Sequence, residues 1–270
     1  MIQVIKKSGD IEPLSEEKIK SCIARVGGSY DLGEKICREI VKKLPSKISS
    51  EQLYRQVFQK LKKENPIFPL KLNLKKAIFE LGPTGFPFEK YFAKLLEYYG
   101  YNTQVNLIMK GKCVKHEIDV LAEKDSKKYL IECKFHQRWG TKTSVHTPLY
   151  SLSRVLDIKE KSGENFIPWI STNTRLSFDA INFSECRQIK ITSWGYPFGE
   201  SLEKMIENSK KYPITILISG NIQIFQKLIS QDVILIEDFL KFDANYIQKI
   251  AGASRKTIDN LTLEAKMLIA

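Results

Sequence analysis

A short stretch at residues 116–135, HEIDVLAEKDSKKYLIECKF, combines carboxylates and a lysine with alternating apolar residues. If it forms a β-hairpin with a polar turn, Asp119 lies opposite Glu132, and Glu117 lies opposite Lys134. Directly opposed side chains in a hairpin have Cβ atoms about 5 Å apart. The pattern therefore predicts two close carboxylates with a lysine on the same face of a sheet.

These charges suit hydrolysis of a phosphodiester assisted by Mg²⁺ or Mn²⁺. Opposed carboxylates repel each other unless a cation lies between them, and Mg²⁺ binds one or two carboxylates while keeping several waters. A lysine on the same face can orient the attacking water and offset charge on the phosphate. A solvated hairpin face with alternating charges has the same spacing, so the spacing alone leaves both interpretations open.

A helix is predicted directly before the hairpin. Its apolar residues recur at i, i+4, i+7, i+8 and i+11, at Phe88, Phe92, Leu95, Leu96 and Tyr99, and Gly100 is expected to end it. Glu89 falls in the first turn of this helix, at the edge of the buried face, from which it can reach the carboxylates. A glutamate at this place also suits the helix dipole alone.

The surrounding pattern predicts an α/β (multi-domain) protein with three segments. Two glycines and a proline between Leu81 and Gly85 mark a boundary, because these residues interrupt regular structure. We expect a mostly helical domain at 1–82, an α/β core at 83–212 and a small helical module at 213–270.

The expected elements fall within these segments. In the first segment, Ser15 is expected to cap a helix, and further helices are expected at 31–44, 50–63 and 70–80. In the core, strands are expected at 103–109, 116–122, 129–135, 166–171 and 189–193, with helices at 147–158 and 177–187. In the last segment, Ile214–Ser219 is expected to be a strand, and a helical hairpin is expected at residues 250–254.

Charge and cysteine content narrow the function classes. The 43 Lys and Arg residues against 31 Asp and Glu give a net charge of +12, which favours polyanionic partners such as DNA. Five scattered cysteines without a CxxC pair argue against a zinc ribbon and favour a reducing, cytoplasmic location. The chain is expected to have neither a signal peptide nor a membrane span.

Residues 85–200 resemble the Mrr-like restriction endonucleases of the PD-(D/E)xK superfamily. The resemblance is carried by the stretches GFPFE at 85–89, HEIDV at 116–120 and IECK at 131–134, and by STN at 171–173 and TSWGYP at 192–197. It implies a restriction-endonuclease-like α/β core and a Mg²⁺-dependent deoxyribonuclease.

The same resemblance implies a role for each residue of the site. Asp119 and Glu132 would bind the metal together with the backbone carbonyl of Cys133. Lys134 would position the water, and Glu89 would join the site through water. Many Mrr-like sequences have Gln where Glu132 stands, so this chain has the general superfamily form, which favours metal binding.

Basic residues follow the hairpin. Arg138, Lys142 and Arg154 are candidates for contacts to the DNA backbone, and a solvated basic loop is the alternative. His136 is a weaker candidate for a general base, because a single histidine at a strand end usually has no such role. The side chain of Cys133 is expected to face the core.

Residues 1–82 resemble an ATP-cone, the regulatory nucleotide-binding domain found at the start of ribonucleotide reductases. The matching residues are VIKKSG at 4–9, EPL at 12–14 and EKI at 17–19. The resemblance implies that Lys6, Lys7, Glu12 and Lys18 contact ATP or dATP. The sequence has no GxxxxGK[ST] motif, so a nucleotide would be a regulator and not a fuel.

Residues 226–270 resemble tandem helix-hairpin-helix modules, which contact DNA phosphates through backbone N–H groups. The first of these hairpins lacks a glycine, so DNA binding and simple packing are both open for this segment.

The sequence therefore favours a metal-dependent DNA endonuclease regulated by ATP or dATP, and a homodimer would suit the cutting of both strands. A non-catalytic, nucleotide-responsive nucleic-acid-binding protein is the main alternative. A regulator of deoxynucleotide metabolism is the third, and the absence of CxxC pairs argues against it.

Overall fold

The computed structural model describes residues 2–6 and 9–270, and the chain divides into two compact units. The first unit comprises the residues up to Leu74, the second comprises Lys75–Ala265, and the residues after Ala265 are divided between them. The first unit thus ends before the expected boundary near residue 82. Both units combine helices with strands, which confirms a mixed α/β protein, while the three-domain division remains a prediction.

The described residues of the first unit form a three-stranded sheet and four helices. Its strands are β1 (Gln3–Ile5), β2 (Ile11–Pro13) and β3 (Lys47–Ser49). Its helices are α1 (Glu16–Arg25), α2 (Tyr30–Val41), α3 (Ser50–Glu64) and α4 (Ile67–Leu72). The central strand β1 pairs antiparallel with β2 and parallel with β3.

Local sequence explains where these helices begin. The side chains of Ser15, Ser29 and Ser49 accept backbone hydrogen bonds in the first turns of α1, α2 and α3, as N-cap residues do. The apolar faces of the helices meet in a core that includes the fully buried Ile23 and Leu61. The cap predicted at Ser15 is confirmed.

The second unit contains most of the remaining elements. Its strands are β4 (Asn102–Lys110), β5 (Lys115–Lys124), β6 (Lys127–Lys134), β7 (Lys142–Thr143), β8 (Phe166–Thr172), β9 (Arg175–Leu176) and β10 (Lys190–Thr192). The helices that follow α4 are α5 (Leu74–Phe79), α6 (Phe86–Tyr98), α7 (His146–Ser162), α8 (Phe178–Cys186), α9 (Leu202–Ser209), α10 (Ile222–Ser230), α11 (Ile236–Leu240), α12 (Ala244–Ala251) and α13 (Arg255–Ile269).

The main sheet of this unit has the strand order β10-β8-β6-β5-β4. Strands β4, β5 and β6 form an antiparallel meander, whereas β8 runs parallel to both β6 and β10. Phe166 of β8 packs in a cluster with Val155 of α7, while Trp169 of β8 meets Phe92 of α6 edge to face at 5.6 Å. Residues three apart in a strand lie on opposite faces, so α6 and α7 cover opposite faces of the sheet.

The core elements agree closely with the sequence prediction. Helix α6 buries Phe88, Phe92, Leu95 and Leu96 completely, and Gly100 follows its end with a left-handed φ of 81°. Glycine adopts such a φ without steric cost. The predicted end of the helix is therefore confirmed.

Two predicted elements are wrong. The stretch Ile214–Ser219 is not a strand, since residues Ile214–Ile216 form a 3-10 helix whose backbone bonds close locally, as from Ile216 N–H to the Pro213 carbonyl. Ile214, Thr215 and Ile216 are all completely buried, and a short apolar run of this kind has the pattern of a buried strand. The helix expected at 70–80 is interrupted at Asn73, which ends α4 and whose N–H is shared between the carbonyls of Pro69 and Leu70.

Helices α12 and α13 are joined as the sequence predicts, through Gly252 with a left-handed φ of 62°. All five cysteines are free. Within residues 2–6 and 9–270, we find no helix with the length and apolar character needed to cross a membrane.

Candidate functional site

The predicted catalytic residues lie on three adjacent elements of the second unit. Asp119 belongs to β5, Glu132 and Lys134 belong to β6, and Glu89 lies in the first turn of α6. The two strands pair with the predicted register as far as Val120 and Ile131, and the predicted pair of Asp119 with Glu132 lies just beyond these last partners. Beyond that point the Asp119 carboxylate accepts a hydrogen bond of 2.7 Å from the backbone N–H of Cys133.

Asp119 also lies at an interruption in the pairing of β5 with β4. Val105 pairs with Val120 and Leu107 pairs with Ile118, but Asn106 between them has a left-handed φ of 54° and no partner in the register. A non-glycine residue with this φ interrupts a regular ladder. The Asp119 carboxylate therefore lies where the backbone pairing of β5 is interrupted toward both β4 and β6.

The interruption changes which side chains share a face. Simple alternation places Ile118 and Leu121 on opposite faces of β5. In the structure both pack in one cluster with Val155 and Ile158 of α7. The regular hairpin assumed from the sequence is therefore corrected on this side of Asp119.

Burial and neighbouring carboxylates raise the pKa values of two acidic groups of the site. Burial, followed by the charges of Asp119, Glu117 and Glu132, raises the pKa of Glu89 to about 7. Burial and the charge of Glu132 raise the pKa of Asp119 to about 6, against the lowering effect of the Cys133 hydrogen bond. Such shifts occur where acidic groups are crowded and partly withdrawn from water.

Arg154 of α7 also belongs to this site, although the sequence suggested a different role for it. Its Nη1 donates a hydrogen bond of 2.8 Å to Oε2 of Glu132, and the two side chains are only 11% and 17% exposed. The guanidinium also lies 4.5 Å from the centroid of the Tyr150 ring. Arg154 therefore has a carboxylate partner within the chain, and its contact with the DNA backbone stays a prediction.

The two residues that flank Glu132 in the second half of β6 have opposite environments. The Cys133 side chain is buried and burial raises the pKa of its thiol far above the usual value, which confirms that it faces the core. Lys134 is exposed at the end of the strand. Its position suits a role toward a ligand arriving from solvent.

The donor set has the chemistry that a hard divalent cation prefers. Asp119, Glu132 and the Cys133 carbonyl supply oxygen atoms, and a cation would relieve the repulsion that raises the carboxylate pKa values. Within the described residues, no three His, Cys, Asp or Glu side chains are arranged to hold a metal ion. The ion pair between Glu132 and Arg154 occupies one of the two carboxylates that we predicted as ligands.

The segment after β6 is fixed by reciprocal hydrogen bonds. The His136 N–H donates to Oδ1 of Asn173, and Nδ2 of Asn173 donates to the His136 carbonyl, each at 2.8 Å. His136 Nε2 lies 2.9 Å from Oγ1 of Thr143, and burial lowers the pKa of the imidazole. These contacts favour a structural role for His136. Arg138 and Lys142 are exposed, as predicted.

The nucleotide site predicted in the first unit brings three of its four residues together. Oε2 of Glu12 lies 2.7 Å from Nζ of Lys6, and Oε1 lies 3.0 Å from Nζ of Lys18. The hydrogen bonds from Lys6 and then Lys18 lower the pKa of Glu12. Lys7 lies outside the described residues.

Comparisons with known proteins identify the N-terminal domain. Residues 2–67 match the model of the ATP cone domain. The first unit therefore carries an ATP-cone domain, as the sequence predicted.

The same comparisons find relatives over a longer part of the chain. An uncharacterized protein of Archaeoglobus fulgidus is 38% identical over 177 residues, which are 66% of this chain and 99% of the relative. A crystal structure of a protein of unknown function is 33% identical with a TM-score of 0.59, covering 69% of this chain and 98% of that one. A repair endonuclease from Pyrococcus abyssi has a TM-score of 0.26 at 17% identity, covering 36% of this chain and 39% of its own.

Proposed function

This chain belongs to the same protein family as the A. fulgidus relative, and for this member we propose a metal-dependent DNA endonuclease that is regulated by ATP or dATP. The ATP-cone domain indicates regulation through nucleotide binding. The nuclease part of the proposal is located in the second unit, with a PD-(D/E)xK core of the Mrr-like kind.

The observation that carries the proposal is the crowded carboxylate site beside an exposed lysine. Burial, together with the charges of nearby carboxylates, raises the pKa values of Glu89 and Asp119 to about 7 and about 6. In a structural ion-pair network, positive charges balance the negative ones. In this cluster, the carboxylates outnumber the cations close to them. Lys134, exposed at the end of β6 two residues after Glu132, would supply the positive charge that a phosphate needs.

Each residue has a defined task in this proposal. Asp119, Glu132 and the Cys133 carbonyl would hold Mg²⁺ or Mn²⁺, and the bound ion supplies charge stabilisation at the phosphate and a more acidic water. Lys134 orients that water through its ammonium group. Glu89, with a pKa of about 7, takes up a proton through water at neutral pH.

The net charge of +12 is consistent with DNA as the substrate. Two such sites would suit the hydrolysis of both strands of a duplex, so a homodimer is part of the proposal. A cytoplasmic location belongs to the same proposal, because its substrate and its nucleotide regulator are both intracellular.

One observation favours a second candidate, a non-catalytic protein that binds nucleic acid and responds to nucleotide. The Glu132 carboxylate is paired with Arg154, and an arginine in this position does by itself part of what a metal ion would do. The two candidates differ in whether a divalent cation is needed.

Plasmid cleavage tests the proposal. Wild-type protein is incubated with supercoiled DNA and Mg²⁺ or Mn²⁺, with and without ATP and dATP, beside Lys134→Ala and Asp119→Ala. We expect nicking or linearisation by wild type alone, no cleavage in EDTA, and a rate that changes with nucleotide. DNA binding by all three proteins without cleavage in any condition would favour the binding protein and reject the nuclease.

A further inference from the structure

We infer that the exposed ring of Trp139 stacks on an unpaired base of a DNA strand whose backbone enters the carboxylate site. The inference rests on the proposed nuclease function, because it assigns the substrate class of the same site. It predicts that DNA with a single-stranded segment is preferred over continuous duplex.

Trp139 differs from the other tryptophans of the chain in its exposure. Its ring is 48% exposed, whereas Trp169 and Trp194 are 1% and 5% exposed. It stacks on Phe79 with ring centroids 4.4 Å apart and an interplanar angle of 6°. A parallel ring beneath it holds the indole in one orientation while much of its surface remains open.

The loop that carries Trp139 is held in place by hydrogen bonds to two other segments. Nε2 of Gln137 donates to the Pro83 carbonyl, directly before α6. The reciprocal bonds between His136 and Asn173 hold the start of the same loop. A ring presented by an ordered loop loses little conformational entropy when a ligand binds.

The loop begins at the carboxylate site. Trp139 follows Lys134 by five residues, which limits their Cα separation to about 18 Å. Phe135 between them packs on Phe88 with centroids 5.8 Å apart, and Phe88 precedes Glu89 in α6. A strand that passes the carboxylates therefore comes within a few nucleotides of the indole.

The charges around Trp139 suit a nucleic-acid backbone. Nζ of Lys75 lies 5.5 Å from the ring centroids of both Trp139 and Trp194, and Arg138, the residue before Trp139, is exposed. Aromatic rings with neighbouring cations are the usual platform for single strands, because every base has a stacking face and every nucleotide has a phosphate. In a duplex the base faces are covered by their neighbours, so only an unpaired base can use this ring.

The competing explanation is that Trp139 covers Phe79 and has no ligand. The two explanations separate in binding experiments with the full chain in EDTA, which suppresses cleavage. The probes are a single strand, the matching duplex, and the same duplex with a central unpaired bubble. Affinity is measured by anisotropy and stacking by quenching of tryptophan emission.

The control variant is chosen to match Trp139 in chemistry. Tyr98 is 52% exposed, and Nζ of Lys211 lies 5.3 Å from its ring centroid. It ends α6, whereas Glu89 lies in the first turn, so the two are roughly 13 Å apart along the helix. Tyr98→Ala thus removes a similar exposed ring away from the carboxylates.

We expect Trp139→Ala to bind the single strand and the bubble on the order of tenfold more weakly than wild type, with unchanged duplex affinity. Trp139→Phe is expected to retain most of the affinity but to lose the quenching, and Tyr98→Ala to behave like wild type. Equal affinity of wild type and Trp139→Ala for the bubble, or quenching that persists in Trp139→Phe, overturns the inference.

Cleavage is then measured separately with Mg²⁺ or Mn²⁺ on the duplex and the bubble. Trp139-dependent binding without cleavage supports the stacking site and rejects the nuclease. Equal rates of cleavage on the duplex and the bubble, and by wild type and Trp139→Ala, support the nuclease and reject the stacking site. The two proposals therefore fail in different ways.

Discussion

Arg154 of α7 donates a 2.8 Å hydrogen bond to Glu132 of β6, and both side chains are largely buried. The pair joins α7 to β6, and Glu132 lies close enough to Asp119 to raise its pKa. The positive charge of Arg154 therefore offsets the repulsion among the carboxylates of the cluster. The strength of this contact can be measured directly.

Arg154→Met is expected to lower the free energy of unfolding by about 3–5 kcal/mol at neutral pH in EDTA, because it leaves a buried carboxylate without a partner. Denaturant unfolding measures the change. Lys112→Met, which breaks the exposed pair with Glu160, is the control and is expected to cost less than about 1 kcal/mol. Equal small losses in the two variants would mean that Arg154 does not stabilise the cluster.

The same variant reports on the metal. If Arg154 stands in for a cation, Mg²⁺ or Mn²⁺ will raise the melting temperature of Arg154→Met more than that of wild type. Binding to the folded state alone raises stability in this way. No difference between the two proteins would argue against a metal site at Glu132.

The raised pKa of Glu89 predicts a pH dependence of stability. The folded carboxyl, with a pKa of about 7, binds a proton more tightly than the unfolded one, whose usual value is 4.5. Between these values the folded state carries more protons, so the stability falls as the pH rises through this window. Above about pH 7 the full cost of the charged carboxylate is present.

Glu89→Gln is expected to remove most of this pH dependence. Between about pH 5 and about pH 8, its free energy of unfolding should rise relative to that of wild type by on the order of 2 kcal/mol. Urea unfolding at several pH values in EDTA measures it. Glu164→Gln, in an exposed ion pair with Lys128, is the control for the substitution itself. Parallel pH profiles for wild type and Glu89→Gln would show that Glu89 is not strained by its neighbours.

The contacts of Glu12 with Lys6 and Lys18 predict the response of the ATP-cone domain to mutation. Lys18→Ala is expected to weaken the binding of ATP and dATP about tenfold, because a charge-assisted contact to phosphate is lost. Calorimetry measures it. Lys35→Ala is the matched control, since Lys35 is a similarly exposed lysine paired with Glu64 at 2.8 Å.

Glu12→Gln tests the role that the ATP-cone resemblance implies for Glu12. If Glu12 contacts the nucleotide, its substitution weakens binding. Tighter binding by Glu12→Gln would mean that the carboxylate only competes with phosphate for the two lysines. Unchanged affinity in Lys18→Ala would remove Lys18 from the nucleotide site.

Local sequence determined most elements of this protein. The apolar spacing from Phe88 to Leu96 predicts α6, since helical periodicity depends only on neighbours three and four residues apart. The alternation around Asp119 and Glu132 predicts β5, β6 and their register, since two adjacent strands with a short turn have few ways to pair. The carboxylate site could therefore be located from the sequence alone.

Tertiary structure decided how these side chains are used. The sequence suggested Arg154 as a contact to the DNA backbone, and only the packing of α7 on the sheet brings it to Glu132, which lies 22 residues earlier. The stack of Trp139 on Phe79 joins residues that lie far apart in the chain. Such contacts depend on crossing geometry, which no local pattern contains.

The same distinction explains the errors and the limits of the sequence prediction. At Ile214–Ile216 burial on every side imitated a strand, and at Asn106 a left-handed φ interrupted a ladder that alternation treats as regular. Periodicity indicates which residues are buried, but it does not indicate which residues pack against them. Sequence therefore determined the elements and the candidate acids, and tertiary packing decided the ion pair, the raised pKa values and the exposed indole, because burial and charge act through space.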